Sequence, residues 1–227
     1  MSWTTEPPPG FKIGGDEPTG TRLVLVRHGE AQCNARGVIG GPLGDGGLTD
    51  AGRAQAAQLR ERLVRTRELD NVSALYSSVL SRAIETAALL APGLPAGLTA
   101  QADCDLCELH PGEADGLTWA EFVDRYSVPD WDNDPYTALA PGGESWAGFY
   151  ERCTTAFERL VKHHPGERVV LVVHGGVVEQ AMKAVLGAAP HDRLRLRPAN
   201  CSMTEIEYED GAARLLRYND VSPLPAA

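Results

Sequence analysis

Short apolar runs alternate with helical stripes along most of the chain. The run from Arg22 to Val26 is continuous and strand-length, as expected of a strand covered on both faces. Residues 49–66 have a helical pattern: Thr49 can cap it, and Ala56, Leu59 and Leu63 recur at spacings of three and four. Val72 to Tyr76 reads as a second strand, followed by a helix at about 80–91. The clearest helix is 144–162, where Trp146, Phe149, Cys153, Phe157 and Leu160 form one stripe, stopped by Pro165 and Gly166. Val169 to Val173 is a third strand, with a helix following through Leu186. Met203–Tyr208 and Ala213–Tyr218 read as a terminal hairpin turning at Asp210 and Gly211. This alternation predicts an α/β fold, a three-layer α/β/α sandwich with a mostly parallel central sheet.

Residues 1–20 are rich in Pro, Gly, Thr and acidic side chains and cannot bury much apolar surface. They are expected to form a mobile tail, as is 221–227. One domain remains at 21–220, with a lid insertion at about 109–143. Hydrophobic residues at 43% and charged residues at 23% argue against a disordered or fibrous chain. With 21 Lys+Arg against 31 Asp+Glu, the net charge is −10 and no basic run offsets it. Such a chain is a poor partner for nucleic acid or an anionic membrane surface. The longest apolar runs are too short to span a bilayer. No charged segment followed by an apolar core marks a secretory signal. Five scattered cysteines (Cys33, Cys104, Cys107, Cys153 and Cys201) suggest reduced thiols and a cytoplasmic location. Cys104 and Cys107 form a single CxxC, which without a second pair reads as two ordinary thiols.

The strand ends carry the candidate chemistry. The first strand runs into Arg27, His28 and Gly29, and the third into His174, Gly175 and Gly176. If both strands are parallel in one sheet, both imidazoles emerge at the carboxyl edge, where open α/β sheets bind ligands. The glycines are expected to let backbone approach a ligand. After the second strand, Arg82 enters a helix near its N-terminus, a favourable place for an anion. Arg27, Arg82, His28 and His174 could thus converge on a phosphate, which guanidinium groups match in charge and geometry. A neighbouring cation lowers a histidine's pKa and leaves a lone pair able to attack phosphorus. Glu108 is a candidate for protonating the leaving oxygen, although periodicity does not select it among the many carboxylates.

These residues resemble the histidine phosphatase superfamily, also called phosphoglycerate mutase-like, over roughly residues 22–218. Arg27-His28-Gly29-Glu30 matches its RHG signature, and Asn34 follows in order. Leu48, Thr49, Gly52, Gln55 and Ala56 match its LT-x-x-G-x-x-QA helix start, and Ser81 to Ala87 its SRA-x-x-TA helix. Glu108, Gly112 and Gly116 fit its acid loop. Pro141 to Ser145 and His174 to Gly176 complete the order. The resemblance implies that His28 is phosphorylated. It implies that Arg27, Arg82 and His174 hold the phosphoryl group, and that Glu108 serves as acid and then base. Asn34, Gly175 and Glu30 would contact substrate. It implies a small-molecule phosphomonoester as substrate, no metal and no cofactor. A homodimer is left open.

Position 31 is Ala where many members have Thr or Ser, and the glycine-rich loop 37–47 lacks a common glutamine. That loop reads as flexible. His110 could reach the pocket but is left outside it, and His163, His164 and His191 read as exposed. The interval from Glu108 to His174 lacks the long insertion of glycolytic mutases, which favours a water-accessible phosphatase. A mutase and a non-catalytic phospho-ligand binder remain the alternatives. Within 113–136, seven acidic residues face Arg125 alone, interleaved with Trp119, Phe122, Tyr126, Trp131 and Tyr136. The plain reading is a solvated cap with aromatics packed on the core. The functional one is a lid disfavouring multiply phosphorylated substrates.

Overall fold

The computed structural model describes residues 19–221. The tails expected at 1–20 and 221–227 lie outside the described residues, except for residues 19, 20 and 221. Six strands form one sheet: β1 (Thr21–Arg27), β2 (Val72–Ser77), β3 (Gln101–Ala102), β4 (Arg168–Val173), β5 (Met203–Glu209) and β6 (Ala212–Asp220). Their order is β3-β2-β4-β1-β5-β6. β1, β2, β3 and β4 pair in parallel, and β5 and β6 join antiparallel. The helices are α1 (Gln32–Arg36), α2 (Asp50–Thr66), α3 (Ser81–Leu90), α4 (Trp119–Arg125), α5 (Trp146–His163) and α6 (Gly175–Leu186).

The strand period of two divides the apolar runs between two cores. Leu23, Leu25, Val169 and Leu171 face α5 and α6, where Phe149, Cys153, Phe157 and Val178 complete one core. Val24, Val26, Val170 and Val172 face α2 and α3, where Leu59, Leu63, Ala83 and Leu90 complete the other. The three layers follow from strands that are apolar on both faces. Thr49 caps α2 by accepting from Gly52 N at 3.0 Å, and Ser145 caps α5 by accepting from Gly148 N at 3.1 Å. No helix among the described residues is long and apolar enough to cross a membrane.

Three expectations need correction. His164 is buried, not exposed: Tyr76 Oη lies 3.0 Å from its Nε2, and Glu167 Oε2 lies 2.7 Å from its Nδ1. The stripe of α5 did not reveal this, because the ring lies just beyond the helix. The glycine-rich loop is pinned. Asp115 accepts from Gly41 N, Leu43 N and Gly44 N at 2.8–2.9 Å, and Ile39 exchanges backbone bonds with Leu117 and Gly116. Finally, Gly29 and Gly176 serve internal packing, whereas Gly175 lines a cavity as expected. A Cβ on Gly29 would lie 2.5 Å from Gly52 O, and one on Gly176 would lie 2.2 Å from Glu108 Oε1.

The acidic segment 113–136 is structured in part by its own acids. A capping box of Thr118 and Glu121 starts α4. Tyr126 Oη donates to Glu113 at 3.0 Å, and Asp132 pairs with Arg193 and Arg195. Phe122 is fully buried with Ala114 and Ala140, and Trp131 stacks on Trp146 at 5.1 Å. Trp119 and Tyr136 remain exposed.

Candidate active site

The sheet register assembles the site. β1 and β4 pair in parallel with Arg27 opposite Val173, so the next residue of each strand is a histidine. His28 N donates to Val173 O at 2.9 Å, and the two rings lie 5.0 Å apart between centroids. β2 flanks β4 on its other side, which brings α3 and Arg82 to the same edge.

Arg82 Nε lies 3.2 Å from both His28 Nε2 and His174 Nδ1. His28 Nδ1 lies 2.6 Å from Gly29 O, which can only accept. The bond therefore assigns the proton to Nδ1 and leaves Nε2 with its lone pair. By the same logic His174 accepts through Nδ1 and carries its proton on Nε2, a buried donor with no protein partner. Burial is the main cause holding the His28 pKa well below the usual histidine range, and Arg82 and Arg27 lower it further. His174 is lowered in the same way, by burial first and then by Arg82 and His28. The sequence pointed to neighbouring cations, but removal from water is the larger effect.

Arg27 donates from Nη1 to Pro198 O at 2.5 Å, and its buried Nε has no protein partner. Burial lowers its pKa, against the opposing charge of Glu108. The Glu108 carboxylate accepts from Gly176 N at 3.0 Å and Leu109 N at 3.2 Å. A cavity of about 280 Å³ is lined by Arg27, His28, Asn34, Arg82, Glu108 and Gly175, among others. Asn34 lies exposed on it. Two of the sequence-predicted site residues do not line the cavity: His174, which is fully buried beside His28, and Glu30, whose carboxylate accepts from Thr49 Oγ1 at 2.7 Å.

Several positioning residues escaped the sequence reading. Asp45, 2% exposed, accepts from Arg82 Nη1 at 2.6 Å and from Arg82 N at 3.0 Å. Its one signal was being the only carboxylate in a glycine-rich loop. Asn200 donates to His28 O at 2.9 Å, and Thr86 accepts from Gly29 N at 3.1 Å. Arg152 staples the acid loop by donating to the carbonyls of Asp105, Cys107 and Glu108. Its guanidinium forks onto Glu144 with two bonds of 2.7 Å. The segment Pro141 to Ser145 contained Glu144 without disclosing this role.

Two neutral imidazoles at parallel strand ends, one with its Nε2 lone pair turned to Arg82, and two guanidinium groups define a site built for an anionic group. The family model of the histidine phosphatase superfamily (branch 1) matches residues 23–221. The chain belongs to this superfamily. It is 37% identical over 207 residues to phosphoglycerate mutase-like protein 4 of Arabidopsis thaliana, covering 89% of this chain and 86% of that protein. It is 33% identical to the metal-independent phosphoserine phosphatase of the same plant, covering 90% and 83%. Among solved structures, a mycobacterial glucosyl-3-phosphoglycerate phosphatase superposes with a TM-score of 0.72 at 29% identity, over 87% of this chain and 98% of that one. Its superfamily and these neighbours support a phosphatase.

Proposed function

We propose that the protein hydrolyses small phosphomonoesters through a phosphohistidine on His28, without a metal in the chemical step. The observation that carries this reading is the His28 ring. Its Nδ1–H is engaged by Gly29 O, its Nε2 lone pair faces Arg82, and burial keeps it neutral. In the first half-reaction Nε2 attacks phosphorus and the ester oxygen leaves with a proton from Glu108. In the second, Glu108 takes a proton from water as the water attacks the phosphohistidine, releasing phosphate and restoring the ring. Arg27, Arg82 and His174 Nε2–H stabilise the equatorial oxygens in this reading, with Asn34 and the Gly175 amide at the rim.

Hydrolysis is favoured over mutase transfer because the segment before α5 packs on its own small cluster and leaves Asn34 exposed at the cavity. Relatives named for phosphoserine and glucosyl-3-phosphoglycerate support a small monoester as substrate. Five free cysteines fit a reducing, cytoplasmic setting. The test is turnover of p-nitrophenyl phosphate with EDTA present, with alkaline quench of the enzyme in single turnover. Activity should persist with EDTA, a base-stable and acid-labile phosphoenzyme should accumulate, and both should vanish in His28→Ala. Full activity in that variant would overturn the mechanism.

A further inference from the structure

The acid loop carries a second cluster that the phosphatase reading leaves unused. Asp103 caps a single 3-10 turn at Cys104–Leu106, and the fully buried Leu106 anchors that turn in the core. The turn brings Cys104 Sγ to 3.9 Å from Cys107 Sγ and 3.9 Å from His110 Nε2. One donor atom from each of the three residues lies within 4.8 Å of the others.

The two separations of 3.9 Å are close to the edges of a metal tetrahedron, and the Cys107–His110 pair lies within 4.8 Å. Zn–S and Zn–N bonds of ordinary length give S···S and S···N edges of about 3.8 Å and about 3.6 Å. A disulfide would instead require the sulfurs to close to about 2.05 Å, and it would leave His110 without a part. The surroundings are those of a ligand set. Ser78 Oγ donates to Cys107 Sγ at 3.3 Å. Glu144 Oε2 lies 3.6 Å from His110 Nδ1, the nitrogen opposite the one aimed at the sulfurs. A carboxylate behind a ligating imidazole is a recurrent arrangement in metal sites, because it sets the tautomer and the ring orientation. The same carboxylate accepts from His110 N at 2.8 Å and is held by Arg152. Two soft thiolates and an imidazole suit zinc over calcium or magnesium.

We propose that Cys104, Cys107 and His110 bind one zinc ion whose fourth position is open to solvent. Cys104 is exposed, and the His110 side chain is 39% exposed, so water or a small thiol can reach that position. Binding displaces a proton from each thiol to the solvent and leaves the three ligands and the ion without net charge. Cys107 and His110 bracket Glu108, so the ion clamps the loop that carries it while taking no part in bond breaking at phosphorus.

The site can be tested independently of activity. Fully reduced, EDTA-stripped and desalted protein is titrated with Co²⁺ and read by absorption, then with Zn²⁺ by calorimetry. One equivalent of Co²⁺ should produce thiolate-to-cobalt charge transfer and intense tetrahedral bands, which one equivalent of Zn²⁺ removes. Cys104→Ser and His110→Ala, both at accessible positions, should retain their circular dichroism and weaken zinc by more than ~10-fold. Absence of the charge-transfer band in the reduced protein, or a band untouched by both substitutions, overturns the site. So does a Cys104–Cys107 disulfide forming in air in a protein that takes up no cobalt when reduced.

Discussion

Replacing Asp45 with asparagine removes the carboxylate paired with Arg82 beside the cavity. Both side chains are almost fully buried, at 3% and 4% exposure. Asp45 accepts from the guanidinium at 2.6 Å and from the Arg82 backbone amide at 3.0 Å. Truncating one member of a buried pair costs about 3–5 kcal/mol, because the other charge stays buried without compensation. Asparagine can still accept from the amide, so the lower end, about 3 kcal/mol, is expected. For a domain of this size each kcal/mol shifts the thermal midpoint by about 2–4 °C, which gives a fall of roughly 6–12 °C. Urea unfolding followed by circular dichroism measures the loss, and the slope of the transition should not change. Inorganic phosphate can then supply the missing anion. It should raise the midpoint of Asp45→Asn more than that of the unmodified protein, where Asp45 competes for the same guanidinium. A loss below about 1 kcal/mol would refute the uncompensated-charge argument. Equal phosphate shifts in the two proteins would refute Arg82 as an anion ligand.

Three further outcomes follow from the geometry. Because His28 and His174 have lowered pKa values, they add nothing to the pH dependence above the unfolded histidine value of about 6.5. Below it the unfolded chain binds protons that the folded rings refuse. Stability then falls by up to about 1.4 kcal/mol per pH unit for each ring, measurable by urea unfolding from about pH 7 to about pH 5; a flat profile would sink the idea. Gly176→Ala places a Cβ 2.2 Å from Glu108 Oε1 and 2.9 Å from Phe149, so kcat should fall by about 100-fold while phosphate affinity changes little. An unchanged kcat would show that the Gly176 contact does not position the acid. Gly29→Ala drives a Cβ to 2.5 Å from the Gly52 carbonyl, a clash with backbone that no rotamer change relieves, and should lower the yield of folded protein, as read by solubility and circular dichroism.

The histidines at the strand ends were legible because a chemical group and a structural signal coincide there. A buried apolar run fixes where a strand stops, and the next residue must emerge at the sheet edge. The same signal could not assign Glu30, which adjoins the motif yet bonds Thr49. Nor could it find His164, whose burial depends on Tyr76 from a strand far away in the chain. Arg152 sits on α5, whose apolar stripe is plain in the sequence, but its target is a set of loop carbonyls that periodicity does not encode.

The sequence by itself determined five of the six strands and the four long helices, the two-faced apolar strands and hence the layers, and the residue types available at three strand ends. Local spacing is enough for these, since a period of two or of 3.6 is a property of neighbouring residues. Only the tertiary structure decided that β1 and β4 lie side by side in register, that one guanidinium N–H is shared by two neutral rings, and that Asp45 holds it there. It also decided that two thiols and an imidazole of the acid loop face one another. Those facts depend on which distant segments share a buried boundary, where removal from water changes what each charge and lone pair can do.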